Sequence, residues 1–171
     1  MTPELQLGLA IAAFGLLWLT YFWWRRSIRR KARFTGEAEQ AISFARVEAE
    51  KLQSPTIEPT HLLLGLLHVA APLIAKLLPP DSHSSIREEV QQHVAGGAIV
   101  SYRDDLPYSE DAQKALVAAA REARALEAEQ IGAEHLLLGL LHSETSLAAL
   151  ILRERGLRLE PLREELGAEK Q

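Results

Sequence analysis

Cysteine is missing from all 171 residues. Its absence excludes a disulfide framework, a thiolate metal site and a cysteine nucleophile. Phosphate-cradling loops are missing too: no GxxxxGK[ST] occurs, which excludes nucleotide binding by the P-loop route. Without an HExxH pair or a GxSxG elbow there is no zinc-protease helix and no hydrolase nucleophile. No segment alternates apolar and polar residues with period two, so strands are not expected. Positive charge is scarce where a nucleic-acid surface would need it. After Arg33, 13 of the 19 basic residues stand against 22 of the 23 acidic ones, a net charge of −9. An acidic body repels phosphate backbones, which excludes nucleic acid as a partner.

What is present divides the chain in two, because 171 residues hold one modest domain and a short appendage. Residues 5–24 carry no charge, and a helix of that length rises about 30 Å, the thickness of the hydrocarbon layer. All three tryptophans lie in it. Tyr21, Trp23 and Trp24 stand at its end, followed by Arg25, Arg26, Arg29, Arg30, Lys31 and Arg33. Amphipathic rings favour the headgroup level, and cations after the span place the C-terminal side in the cytoplasm. A cleaved secretory signal would carry its charges before the apolar core, the reverse of this order. Residues 1–33 are therefore read as a single-pass anchor with its N-terminus outside. Tyr21, Trp23, Trp24, Arg25 and Arg26 form its membrane interface and meet lipid.

The rest is a duplication. His61-Leu62-Leu63-Leu64-Gly65-Leu66-Leu67-His68 recurs unchanged as His135 to His142, 74 residues on. At the same offset Phe34-Thr35 matches Tyr108-Ser109, and Ile57 matches Ile131. Ala38, Ala41, Ile42, Ala45, Ala49 and Leu52 likewise match Ala112, Ala115, Leu116, Ala119, Ala123 and Leu126. These apolar sets fall at helical spacing. Thr35 and Ser109 stand at N-cap positions before acidic residues that favour the positive end of a helix. The octet, apolar on almost every side, predicts a buried hub helix. Third helices are expected near 71–78 and 146–155, fourth helices near 84–94 and 160–166. The fold predicted is all-α: tandem four-helix repeats at 34–95 and 108–168, joined by a linker at 96–107 around a pseudo-twofold axis, behind one transmembrane helix.

The chemistry expected is sparse. His61 and His68 are seven residues apart with no second ligand one turn away, so a capping or packing role is expected rather than metal. The acidic pairs Glu88/Glu89 and Glu164/Glu165 read as solvated faces. No cofactor and no catalytic residue are expected.

With the duplication in view, the soluble part resembles the double Clp N-terminal (Clp repeat) domain that precedes the ATPase modules of Clp-type unfolding chaperones. The pattern that carries the resemblance is Phe-Thr, then spaced alanines, then Ile-x-x-Glu-His-hydrophobic-Leu-Leu-Gly-Leu-Leu, used twice over residues 34–166. It implies a pseudo-twofold eight-helix domain that docks adaptor proteins, a Clp chaperone or substrate polypeptides in protein quality control. The resemblance implies a binding module rather than an enzyme, expected here as a membrane-anchored, stand-alone double repeat at a bacterial inner membrane, although a stroma-facing organellar membrane fits the same charges. In some relatives each repeat accepts a phosphorylated arginine, using the hydroxyl after the aromatic residue and the glutamate before the octet. Carried over, these positions are Ser109 with Glu134 in the second copy and Thr35 with Thr60 in the first, where the glutamate is absent. Helix capping is the competing role. The alternative function is a structural, self-associating membrane protein, with Gly8, Ala12 and Gly15 permitting close helix approach in the span.

Overall fold

The chain divides into two units, Met1–Arg33 and Phe34–Gln171. The computed structural model describes residues 33–94 and 106–168. The expected span, with Tyr21, Trp23, Trp24, Arg25 and Arg26, lies outside the described residues, as does most of the expected linker. Among the described residues eight helices follow in order: α1 (Gly36–Lys51), α2 (Pro59–Val69), α3 (Ala71–Leu77), α4 (Ser82–Val94), α5 (Glu110–Ala125), α6 (Ala133–Leu141), α7 (Leu147–Glu154) and α8 (Leu159–Ala168).

Helices α1 and α5 have the same length and start and stop 74 residues apart, because the same local signals bound them. The Thr35 and Ser109 hydroxyls accept from the amides of Ala38 and Ala112, each at 3.2 Å, satisfying a donor that the first turn leaves open. Both helices end in a Schellman motif. In α1 the Ser54 amide donates to the Ala49 carbonyl at 2.9 Å and that of Gln53 to Glu50 at 3.0 Å; in α5 Ala128 and Glu127 repeat this on Ala123 and Arg124. The left-handed residue of each motif is not glycine: Gln53 has φ 52 and Glu127 φ 53.

The octet helices are the hubs. Every residue from Pro59 to Leu67 is buried in α2, and in α6 every residue but Glu134. What lets α1 cross α2 is the glycine in the octet. A Cβ on Gly65 would collide with the Ala41 carbonyl oxygen and lie 3.0 Å from the Ala45 amide nitrogen. On Gly139 it would collide with the Ala115 carbonyl oxygen and lie 2.8 Å from the Ala119 nitrogen. The alanines of α1 and α5 that match at the repeat offset thus line the track over which backbone meets backbone.

The third helices come within a residue of their expected ends. Gly156, at φ 89, closes α7 with a third Schellman motif. Its neighbour Arg153 donates to the carbonyls of Leu141 and Ser143 at 2.9 and 2.7 Å, pinning the turn between α6 and α7. Helix α4 starts two residues earlier than expected, since Asp81, at φ 68, turns the chain at once after Pro79-Pro80. Among the described residues no single helix is long and apolar enough to cross a membrane. The apolar pair α2 and α3 is bent by 102° and belongs largely to the core.

The two repeats share one hydrophobic core, in which α2 packs on α6 and α7. Their chain entries are exchanged. Phe34 makes a parallel bridge to Ile131 and Ile57 one to Tyr108, two isolated pairings too short to show an alternating pattern in the sequence. They are related by the repeat offset.

Substituting Gly139→Ala forces α5 away from α6 and is expected to lower stability by about 3 kcal/mol in urea unfolding; an unchanged midpoint would contradict the close crossing. Glu127→Gly relieves a left-handed side chain and is expected to raise stability by up to about 1 kcal/mol, read from the same transition.

Candidate functional site

The N-termini of the two hub helices lie at the seam between repeats, and the bridges decide what stands beside them. The Thr35 amide donates to the Ile131 carbonyl at 2.9 Å, just ahead of Gly132, the N-cap of α6. In the mirror relation the Ser109 amide donates to the Ile57 carbonyl at 3.1 Å, and that of Ile57 to Pro107 at 2.8 Å, ahead of Glu58, the N-cap of α2. The structure therefore bonds the first repeat's N-cap residue to the segment entering the second repeat's hub, and the reverse. Ser109 is bonded across the seam to the segment leading to Thr60, and Thr35 to the segment leading to Glu134, whereas the sequence paired Ser109 with Glu134 and Thr35 with Thr60 within a copy. The reason is the exchanged entry of the two chain segments.

Each hub begins with a histidine that caps it. His61 Nδ1 accepts from the Glu58 amide and His135 Nδ1 from the Gly132 amide, both at 2.9 Å. The imidazole takes the place of the glutamate in a capping box, reaching back from N3 to the N-cap. Both rings are fully buried. Burial, against the charges of Glu58 and Glu48, holds the His61 pKa below its ordinary value, which keeps the ring neutral with its proton on Nε2. This is capping as the spacing suggested. Among the described residues no group of three or more His, Cys, Asp or Glu is arranged to hold a metal.

Around these caps the carboxylates occupy different register positions. Glu134, the half-buried N2 residue of α6, folds back over the N-cap, so that a Cβ on Gly132 would lie 2.6 Å from its Cδ. Its Oε1 is 3.2 Å from His135 Nδ1, an atom already engaged as an acceptor, so this approach brings the carboxylate no proton. In the first repeat the N-cap itself is Glu58, whose Oε1 accepts from the Thr56 hydroxyl at 2.6 Å, while Thr60 at N2 is buried. The glutamate missing at residue 60 is matched by one two residues earlier. Each hub N-terminus, the positive end of its helix, thus carries one partly exposed carboxylate, in a segment whose backbone is bonded to the other repeat's N-cap residue.

The chain has counterparts among known proteins. The model of the Clp repeat (R) N-terminal domain matches residues 33–155 and again 107–171. The chain belongs to that family. It is 32% identical over 136 residues to the negative regulator of genetic competence ClpC/MecB of Bacillus subtilis, and 30% to a probable ATP-dependent Clp protease ATP-binding subunit of Chlamydia pneumoniae. Each match covers 78% of this chain and 16% of the relative. The chain thus spans about a sixth of the length of these relatives. Among solved structures it is similar to the N-terminal domain of the chaperone ClpD from Arabidopsis thaliana, with a TM-score of 0.55 and 26% identity, covering 81% of this chain and 94% of that one. The Hsp104 N-terminal domain of Candida albicans, at 0.61 and 19%, covers 81% and 91% and shares the fold.

This Clp repeat domain also buries two carboxylates that the sequence reading passed over. Glu48 on α1 and Glu122 on α5 are each 4% exposed and stand 74 residues apart. Each holds the last helix of its own repeat. Arg87 of α4 reaches Glu48 at 2.9 Å, and Arg163 of α8 reaches Glu122 through Nε at 2.8 Å and a terminal nitrogen at 2.6 Å. Lys51 adds to the first, at 3.0 Å, and His142 to the second, at 2.6 Å. In the first repeat the matching His68 packs on the ring of Phe44 instead, centroids 3.8 Å apart. Glu89, expected on a solvated face, is half-buried and accepts from Arg155, the C-cap of α7, at 2.8 Å, an ion pair across the seam. Glu165 likewise meets Lys76 at 3.3 Å, both exposed.

The Arg163 hydrogen bonds, outweighing burial and helped by His142, hold the Glu122 carboxyl down at about 2 against an ordinary 4.5. A carboxyl depressed in the folded state stabilises above its unfolded value and stops doing so as pH falls through the folded one. Between pH 4.5 and 2 this residue is expected to give up on the order of 3 kcal/mol. Urea unfolding across that range should be steeper in pH for the native chain than for Glu122→Gln; equal slopes would exclude the pair as the cause.

Proposed function

We propose that this Clp repeat domain is a protein-docking module whose partner is an adaptor, a Clp chaperone or a substrate polypeptide, and that its N-terminal segment holds it at a membrane surface. The observation that carries the docking reading is the pair of seam sites. In each, the segment that carries a partly exposed carboxylate, Glu134 or Glu58, is bonded through its backbone to the N-cap residue of the opposite repeat, Thr35 or Ser109. Those hydroxyls accept in their caps and so keep a proton to donate, while the carboxylates offer acceptors. A guanidinium is the partner group that suits such a carboxylate, and a phosphorylated arginine, the ligand the resemblance implies, would add acceptors for the hydroxyl and the helix amides. The substitution of Glu58 for a glutamate at residue 60 supports two working sites rather than one.

The membrane reading is supported by the uncharged residues 5–24, their terminal Tyr21, Trp23 and Trp24, and the cations from Arg25 onward. Confinement to a surface raises the effective concentration of a partner held at the same membrane.

Calorimetric titration of the chain with peptides bearing arginine or phosphorylated arginine tests the docking sites. Two sites are expected in the native chain, with Glu134→Gln and Glu58→Gln each weakening one by about 10- to 100-fold. Binding that neither substitution alters would move docking elsewhere, and no binding at all would overturn the reading. For the anchor, the full chain expressed in bacteria is expected to stay in the membrane pellet through alkaline carbonate extraction, and a chain starting at Phe34 to leave it; release of the full chain would refute the span.

A further inference from the structure

We draw no further inference here: the strongest candidate, the exposed apolar side chains of Val117 on α5 and Leu150 on α7 at the surface of the second repeat, carries none because nothing in the structure shows what covers them.

Discussion

Backbone contact at Gly65 and Gly139 governs the geometry of this domain. With hydrogen alone at these positions, and alanine at 41, 45, 115 and 119, α1 lies on α2 and α5 on α6 without intervening side chains. A helix approached so closely on one side keeps its leucines for the others. That accounts for an octet with apolar residues all round and for hubs with no solvent face. Dispersion forces fall steeply with separation, so a crossing of small residues holds firmly although it buries little area of its own. The hubs then meet each other, and one core serves both repeats.

Burial on all sides raises a difficulty at the hub N-termini, where the first amides have no partner within the helix. A buried amide left open costs about as much as a lost hydrogen bond. His61 and His135 meet part of that need, each taking the amide of its N-cap residue with a ring nitrogen that brings no charge into the core. Because the N-cap amide is taken from within the helix, the side chains outside it are left to other work. The exchanged bridges bring the opposite repeat's capping segment there, and the carboxylates of Glu58 and Glu134 gather at the positive ends of the helices. The candidate site is thus a by-product of how two hubs are closed against each other.

Much of the fold was legible because its signals are local or periodic. Thr35 and Ser109 read as caps from their place before acidic turns, and the matched alanines read as part of an apolar set at helical spacing. What stayed hidden depends on contacts distant in sequence. The exchange of Phe34 and Tyr108 between repeats leaves no trace in spacing, since a bridge of one residue has no period. Glu48 and Glu122 look like ordinary surface glutamates in an amphipathic helix until the arginines of α4 and α8 arrive from 39 and 41 residues away. Of the candidate site, Thr35, Ser109 and Glu134 were named from the sequence and Glu58 was not, because the register equivalent of Glu134 is Thr60.

Comparing the copies position by position also hides how they have diverged. The arginine that holds Glu48 is residue 87 and the one that holds Glu122 is residue 163, whose register equivalent in the first repeat is residue 89. The same two-residue displacement separates Glu58 from the position of Glu134. On one face of a helix such shifts are tolerated, because a long side chain spans the half turn between positions and delivers its charged group to the same place. The shift has a consequence at residue 89. Freed from the role that Arg163 plays in the second copy, this position holds Glu89 and pairs with Arg155, so a fastening that is internal to one repeat has its register equivalent at the seam between the two. Charge in this domain is conserved by location, and a reading by register alone counts as lost what the structure has moved by half a turn.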